Sequence, residues 1–378
     1  MAALIPPVHS VVHRRRALLG GLALAGCVEI PPPGDIALAR PAFPLPRDFP
    51  TAMVTRNNGL FTIGGRQQFL RGVAVPEVAW IANRHDEQMG FFDHRMFNAA
   101  ADWGCDLLRL SIMPALWTQL GEAEVLRTLD ASVAYAKRCG MYLSICWHGI
   151  GFPPTERYKS LIDVRYGELL QTSTAQTHAF WRSMARRYWN EPVVAFFELF
   201  NEPQYINADG SLATEHTEPM WVAWRDWCET CIDDLRRIAP LKPVAVGGLQ
   251  FGYDLSFAPD LPVRRPNVIY ATHPYPDSNW RVPWSRAFLE PGQRLPVMAT
   301  EFGWDDANHP QAAMRGETGR YQEAILAAFD QAAMGWQAWC FNHTFTPSLL
   351  ADTQFAPSPG FGDFVMQALQ LRKRATTG

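Results

Sequence analysis

A single α/β domain built as a closed (β/α)8 barrel is the fold this sequence predicts, on three observations. Eight apolar, β-branched or aromatic runs of strand length recur along the chain, separated by amphipathic helical patterns. The runs are near-continuously apolar, as parallel strands covered on both faces must be. No second linker interrupts them, so the eight units form one domain. Eight units fit a TIM barrel better than an open doubly wound sheet.

The elements follow in order. Residues 1–39 read as an export signal. Arg14-Arg15-Arg16 precedes the apolar run Ala17-Leu18-Leu19-Gly20-Gly21-Leu22-Ala23-Leu24-Ala25-Gly26, which is short for a bilayer span. Leu24-Ala25-Gly26-Cys27 resembles a lipobox, in which Cys27 is lipidated and tethers the chain to a membrane. Ala37-Leu38-Ala39 offers ordinary cleavage after Ala39 instead, and a retained N-terminal helix is the third reading. The arginines also resemble a twin-arginine export signal. All but the retained helix place the mature protein outside the cytoplasm: as an outer-membrane or cell-surface lipoprotein, in the periplasm, or beyond the cell. Residues 40–50, with Pro41, Pro44, Pro46 and Pro50, read as an extended tether, and residues 51–378 as the barrel domain. A small N-terminal β-hairpin over 53–63, turning at Asn57-Asn58-Gly59, is expected to cap the barrel bottom.

The eight barrel strands are expected at 68–75, 106–113, 141–147, 193–201, 243–248, 267–273, 296–301 and 335–341. Helices are expected at 93–103, 122–139, 172–189, 219–238, briefly at 284–290, and at 315–334 and 361–371.

Composition sets limits. Hydrophobic residues at 48% supply a large core, and charged residues at 19% exclude disorder. A net charge of −3 with no basic stripe in the body of the chain argues against a nucleic-acid partner. Fourteen Trp is a high count, and Trp near loops suits flat amphipathic ligands such as sugars. Besides Cys27, the cysteines are Cys105, Cys139, Cys146, Cys228, Cys231 and Cys340. Export would permit disulfides, whose pairing the sequence does not give. Cys228-x-x-Cys231 lies in a helical pattern without a second Cys/His cluster, so buried small side chains fit it better than a redox or zinc motif. A monomer is the expected state.

In such a barrel chemistry collects at the C-terminal strand ends. Reading those ends gives Arg109, His148, Asn201-Glu202-Pro203, His273 with Tyr275, Glu301, and Trp339. Two carboxylates at one rim, among Arg, His, Tyr and Trp, match the needs of glycoside hydrolysis. A protonated acid must serve the leaving oxygen while an ionised one acts at the anomeric carbon. Arg109 and Tyr275 suit an ionised Glu301, whereas Glu202 has no cation beside it in sequence and suits the acid.

These pieces together resemble glycoside hydrolase family 5, over roughly residues 68–342. They are Arg71-Gly72-Val73, Leu108-Arg109-Leu110, Trp147-His148, Leu199-Phe200-Asn201-Glu202-Pro203, His273-Pro274-Tyr275, Thr300-Glu301-Phe302-Gly303 and Trp339. The resemblance implies a retaining β-glycosidase with Glu202 as acid/base and Glu301 as nucleophile. It implies Asn201 on the sugar 2-hydroxyl, Arg109 and Tyr275 on the nucleophile, His148 and His273 around the sugar, and Trp339 as its platform. It implies no metal or organic cofactor. After strand one the chain departs from common cellulase patterns, with Val75-Pro76-Glu77-Val78-Ala79-Trp80.

Loop aromatics Trp80, Trp117, Tyr205, Trp280, Trp284 and Trp304 are each either stacking surfaces for sugar rings or plain packing; Trp280 and Trp304 are taken as substrate-binding. A β-linked glucan, oligo- or polysaccharide, is the expected partner. β-Mannan, xyloglucan and small β-glucosides compete, because their enzymes share these rim residues. A non-catalytic carbohydrate-binding barrel would have lost one glutamate, and both are present. A metal-dependent barrel hydrolase would want a His-x-His pair after strand one, where Val73-Ala74-Val75 stands.

Overall fold

The computed structural model describes residues 53–54, 61–63, 66–84, 90–158, 170–276, 282–305 and 320–377. The expected signal, Cys27, Ala39, the tether, the Asn57-Asn58-Gly59 turn and Trp280 lie outside the described residues.

Three short strands come first: β1 (Met53–Val54), β2 (Phe61–Ile63) and β3 (Arg66–Gln68). They pair antiparallel in the order β1-β2-β3. The expected hairpin strands are therefore present, with a third strand of which the sequence reading had placed only Gln68, in the first barrel strand. The barrel begins at β4 (Arg71–Val75) and continues with β5 (Leu107–Ile112) and β6 (Tyr142–Trp147). Two strands outside it follow, β7 (Ile150–Phe152) and β8 (Arg157–Tyr158). Then come β9 (Val194–Glu198), the two-residue β10 (Glu202–Pro203), β11 (Val244–Gly247), β12 (Val268–Thr272), β13 (Val297–Ala299) and β14 (Gly335–Trp339). The closed barrel runs β4-β5-β6-β9-β11-β12-β13-β14, with β14 pairing back onto β4. Every barrel pairing is parallel.

Helices lie where the 3.6-residue pattern put them, and their ends carry the expected signals. Asp93 caps the helix His94–Trp103 by accepting the Arg95 amide, and Gly104 ends it in the left-handed region at φ 98. Glu122–Cys139 has Glu122 and Glu124 in its first turn, Lys137 and Arg138 in its last, and Gly140 beyond. Two helices, Val78–Arg84 and Pro114–Leu120, were not anticipated; each is a single short apolar segment with too little length to show a period.

Strand alternation and ladder register sort the side chains into layers. Leu107, Tyr142, Phe196, Ala245, Ile269 and Met298 fill one end of the barrel interior. Above them the interior turns polar: Gln337 donates to Ser144, and Arg109 stands in register with Ser144. The larger apolar core lies between strands and helices. Gly72 is required by close approach, since a Cβ there would sit 1.7 Å from the Leu107 carbonyl oxygen. Cys105, Cys146, Cys228, Cys231 and Cys340 are buried, and all six described cysteines are free thiols. No described helix is long and apolar enough to cross a membrane.

Candidate active site

Two strands are extended outward past the barrel, and this extension carries the first carboxylate. β10 pairs parallel with β7, Glu202 opposite Ile150, and β7 pairs antiparallel with β8. The Glu202 amide donates to the Gly149 carbonyl at 3.1 Å, and the Gln204 amide to Gly151 at 2.8 Å. Pro203, which has no amide hydrogen, sits between these two bonds without costing one. Glu202 is thus fixed by its own backbone at the rim, 7% exposed.

Arg109 organises the floor beneath it. Fully buried on β5, it donates through Nη1 to Glu301 Oε1 at 2.6 Å and through Nη2 to Asn201 Oδ1 at 2.7 Å. Its Nε and Nη2 reach Glu198 Oε2 and Oε1 at 2.6 and 3.1 Å. A buried guanidinium needs such partners to offset lost hydration. Tyr275 donates to Glu301 Oε2 at 2.9 Å. Glu301 therefore accepts a strong donor on each oxygen, an arrangement fitted to the ionised form. Burial raises its affinity for a proton, the Glu202 charge adds to this, and His273, Arg109 and Tyr275 oppose it. Two carboxylates this close do not both ionise readily. The hydrogen bonds from Arg109 and Tyr275 favour charge on Glu301.

His273 stands between the pair. Its Nδ1 is 3.4 Å from Glu202 Oε1 and 3.8 Å from Glu301 Oε2, and its Nε2 is 2.9 Å from Thr300 Oγ1. One ligand atom each of Glu202, His273 and Glu301 lie within 4.8 Å of one another, a spacing that suits a metal ion. Arg109 and Tyr275, however, already occupy both Glu301 oxygens. His148 stacks on Trp339 at 5.2 Å and 15°, and burial holds its imidazole well below the usual range, so it is neutral. The Trp339–Cys340 peptide is cis.

Arg109, Asn201, Glu202, His273, Tyr275 and Glu301 thus form one bonded group, with His148 and Trp339 paired beside it. Residues 76–344, which carry this group, match a family model described as cellulase (glycosyl hydrolase family 5).

The chain belongs to glycosyl hydrolase family 5.

Among curated relatives, Endoglucanase N of Pectobacterium atrosepticum is 23% identical over 255 residues, covering 67% of this chain and 49% of that protein. Endoglucanase 5 of Pectobacterium carotovorum is 22% identical over 255 residues, covering 67% of this chain and 43% of its own. The chain spans about half the length of these relatives. A β-glucanase of Saccharophagus degradans, also solved with cellotetraose, superposes with a TM-score of 0.76 at 27% identity over 90% of this chain and 98% of that one. The catalytic domain of a Thermobifida fusca endoglucanase shares the fold at a TM-score of 0.61 and 19% identity, over 85% and 97% of the two chains.

Two aspects of this family 5 site differ from the sequence reading. Trp304 was expected to bind substrate. It is 3% exposed, and its ring packs on Phe361 at 4.4 Å, Phe364 at 5.3 Å and Tyr321 at 5.8 Å, so it has no face to offer a sugar. Trp117, Tyr205 and Trp284 are half-buried against Phe180, Phe152 and Tyr321. The second difference is Glu198, which the sequence reading passed over. It is fully buried, and the Arg109 charge and hydrogen bonds, with the nearby His273, outweigh burial and lower its carboxyl to about 2. A single acid inside an apolar strand was the signal available, because a charge there must have a partner. At the end of strand one, Glu77 accepts the Met113 amide at 3.1 Å, and burial pushes its carboxyl well above the usual range.

Proposed function

We propose that this chain cleaves β-linked glucan internally, as an endo-β-1,4-glucanase, with retention at the anomeric carbon. The observation that carries the reading is the unequal support of two close carboxylates. Glu301 is held on both oxygens by Arg109 and Tyr275, while among the described residues the Glu202 carboxyl meets His273 alone. Retaining pairs stand at roughly 5–5.5 Å and inverting pairs at roughly 6.5–9.5 Å, with room for water. Carboxylate oxygens within 4.8 Å support the former.

In this reading Glu301 Oε attacks the anomeric carbon while the Glu202 proton passes to the departing oxygen. The glycosidic bond breaks as the ester to Glu301 forms. Glu202, now ionised, takes a proton from water, whose oxygen displaces Glu301 and regenerates both groups. Arg109 fixes Asn201 by its Oδ1, leaving the amide nitrogen to donate to a sugar hydroxyl. Trp339, braced by His148, is the platform for the sugar ring. The choice of glucan is supported by the endoglucanase names of the relatives and by the neighbour solved with cellotetraose. The export reading rests on Arg14–Arg16 and the apolar run after them, with lipidated Cys27 as tether, and the mass of the mature N-terminus tests it.

NMR of the first-formed sugar tests the mechanism: the β-anomer is expected, and the α-anomer overturns it. A product profile against carboxymethyl cellulose, mannan, xyloglucan and cellobiose tests the substrate. Mixed cello-oligosaccharides are expected from the first, and turnover of mannan, xyloglucan or cellobiose alone would reassign it.

A further inference from the structure

Glu198 and Thr300 have no part in the chemistry above, yet both are fully buried directly beneath it. Thr300 Oγ1 is 2.9 Å from Glu198 Oε1 and 2.9 Å from His273 Nε2, and Glu198 Oε1 is itself 3.7 Å from that nitrogen. A threonine hydroxyl has one proton to give. Glu198 is ionised, so its oxygen is an acceptor. If Thr300 donated to His273 instead, two bare oxygens would face each other at 2.9 Å in a buried site, a costly arrangement. Thr300 must donate to Glu198, and its oxygen then accepts from His273 Nε2. His273 therefore carries a hydrogen on Nε2 in every charge state.

We propose that Glu198, acting through Thr300, is a positioning residue for acid/base catalysis: it locks His273 as the Nε2–H tautomer and so leaves Nδ1 to share a single proton with Glu202. Nδ1 has two states. It is bare when protonated Glu202 donates to it, and protonated when it donates to ionised Glu202. The proton moves between Nδ1 and Oε1, with nothing gained or lost at Nε2. After Glu202 has given its proton to the leaving oxygen, a bare Nδ1 facing the new carboxylate raises its appetite for the proton of the incoming water. A free Nδ1–H tautomer would do the reverse, stabilising the carboxylate and weakening it as a base.

The surroundings fit. Among the described residues the charged and titratable groups here include Arg109 on β5, the Cys146 thiol on β6, His148 after β6, Glu198 on β9, Glu202 on β10, Tyr275 after β12, Glu301 after β13 and the Cys340 thiol after β14. Burial works against a second proton on His273, but the Glu301, Glu198 and Glu202 carboxylates outweigh it and lift the imidazole to about 9, so in the free site the shared proton rests on Nδ1 and passes to Glu202 Oε1 as the leaving oxygen draws it. The ring is also pressed from its open side: a Cβ at Gly252 would lie 2.8 Å from Nδ1, so only glycine lets the turn pack there.

The test rests on the glycosidase reading but fails separately from it. In wild-type protein, nitrogen-15 NMR of the histidine rings above the pH at which His273 loses its second proton should show Nε2–H; an Nδ1–H tautomer overturns the proposal whatever the substrate. Thr300→Val removes the acceptor and Thr300→Ser restores it. For Val, kcat/KM on cellotetraose should fall about ten-fold more than on dinitrophenyl β-cellobioside, whose leaving group needs no acid. Its alkaline limb should move down by about one pH unit, as the shared proton is held less tightly. Ser should recover both. Equal losses on the two substrates, or an unmoved limb in Val, overturn the proposal. Wild-type inactivity on both substrates would instead sink the glycosidase reading and leave the NMR result to decide this one.

Discussion

Glu301 and Glu202 differ in what touches them, and substitution should expose the difference. Glu301→Gln keeps the shape but cannot attack, so turnover of every substrate should fall by roughly 10³-fold or more while binding of cellotetraose by calorimetry survives. Glu202→Ala should cost roughly 10²–10⁴-fold in kcat/KM on cellotetraose and far less on dinitrophenyl β-cellobioside; equal losses would reassign Glu202. Most of these residues were legible because a polar residue ending an apolar strand is conspicuous. Glu198 was not, since its need for Arg109 exists only once β9 has joined the barrel on the far side of β6 from β5. Trp304 misled for the same reason: its partners Phe361 and Phe364 belong to the last helix, far along the chain.

At the scale of elements, the eight strands were legible because burial on both faces leaves unbroken apolar runs. The β7–β10 extension was not, because pieces of two or three residues carry no period. That extension and the turn after β11 do the fine positioning. In the turn, Gly248 bridges Gly252 and Leu249 bridges Asp254, and Gly252 has φ 79. Gly252→Ala should cost about 1 kcal/mol for the left-handed backbone. Its methyl would also meet the His273 ring. Steady-state kinetics should show kcat falling several-fold with KM little changed; an unaltered kcat would mean the ring moves freely. Asp93→Ala, by contrast, removes a helix cap outside the bonded group around Arg109 and should cost about 1 kcal/mol in urea unfolding with no change in kcat.

For the whole molecule, the charge network links catalysis to stability. The Glu198 carboxyl is depressed from 4.5 to about 2, so its stabilising effect is fully present above pH 4.5. It is lost as pH falls through about 2, and it amounts to about 3 kcal/mol. Acid unfolding of Glu198→Gln should therefore begin from lower stability at neutral pH and show a shallower loss between those values. An unchanged acid transition would show that the network adds nothing to stability.

Arg109 reaches Glu198, Asn201 and Glu301 across 89, 92 and 192 positions of chain. Helices and neighbouring strand pairs can assemble locally, but this guanidinium finds its last partner only when the distant β13 segment has come round to it. Long-range closure of this kind is slow. On dilution from denaturant, far-ultraviolet ellipticity should return first and cellotetraose turnover last. Activity would then serve as the clock for barrel closure, and Arg109 as its final tick.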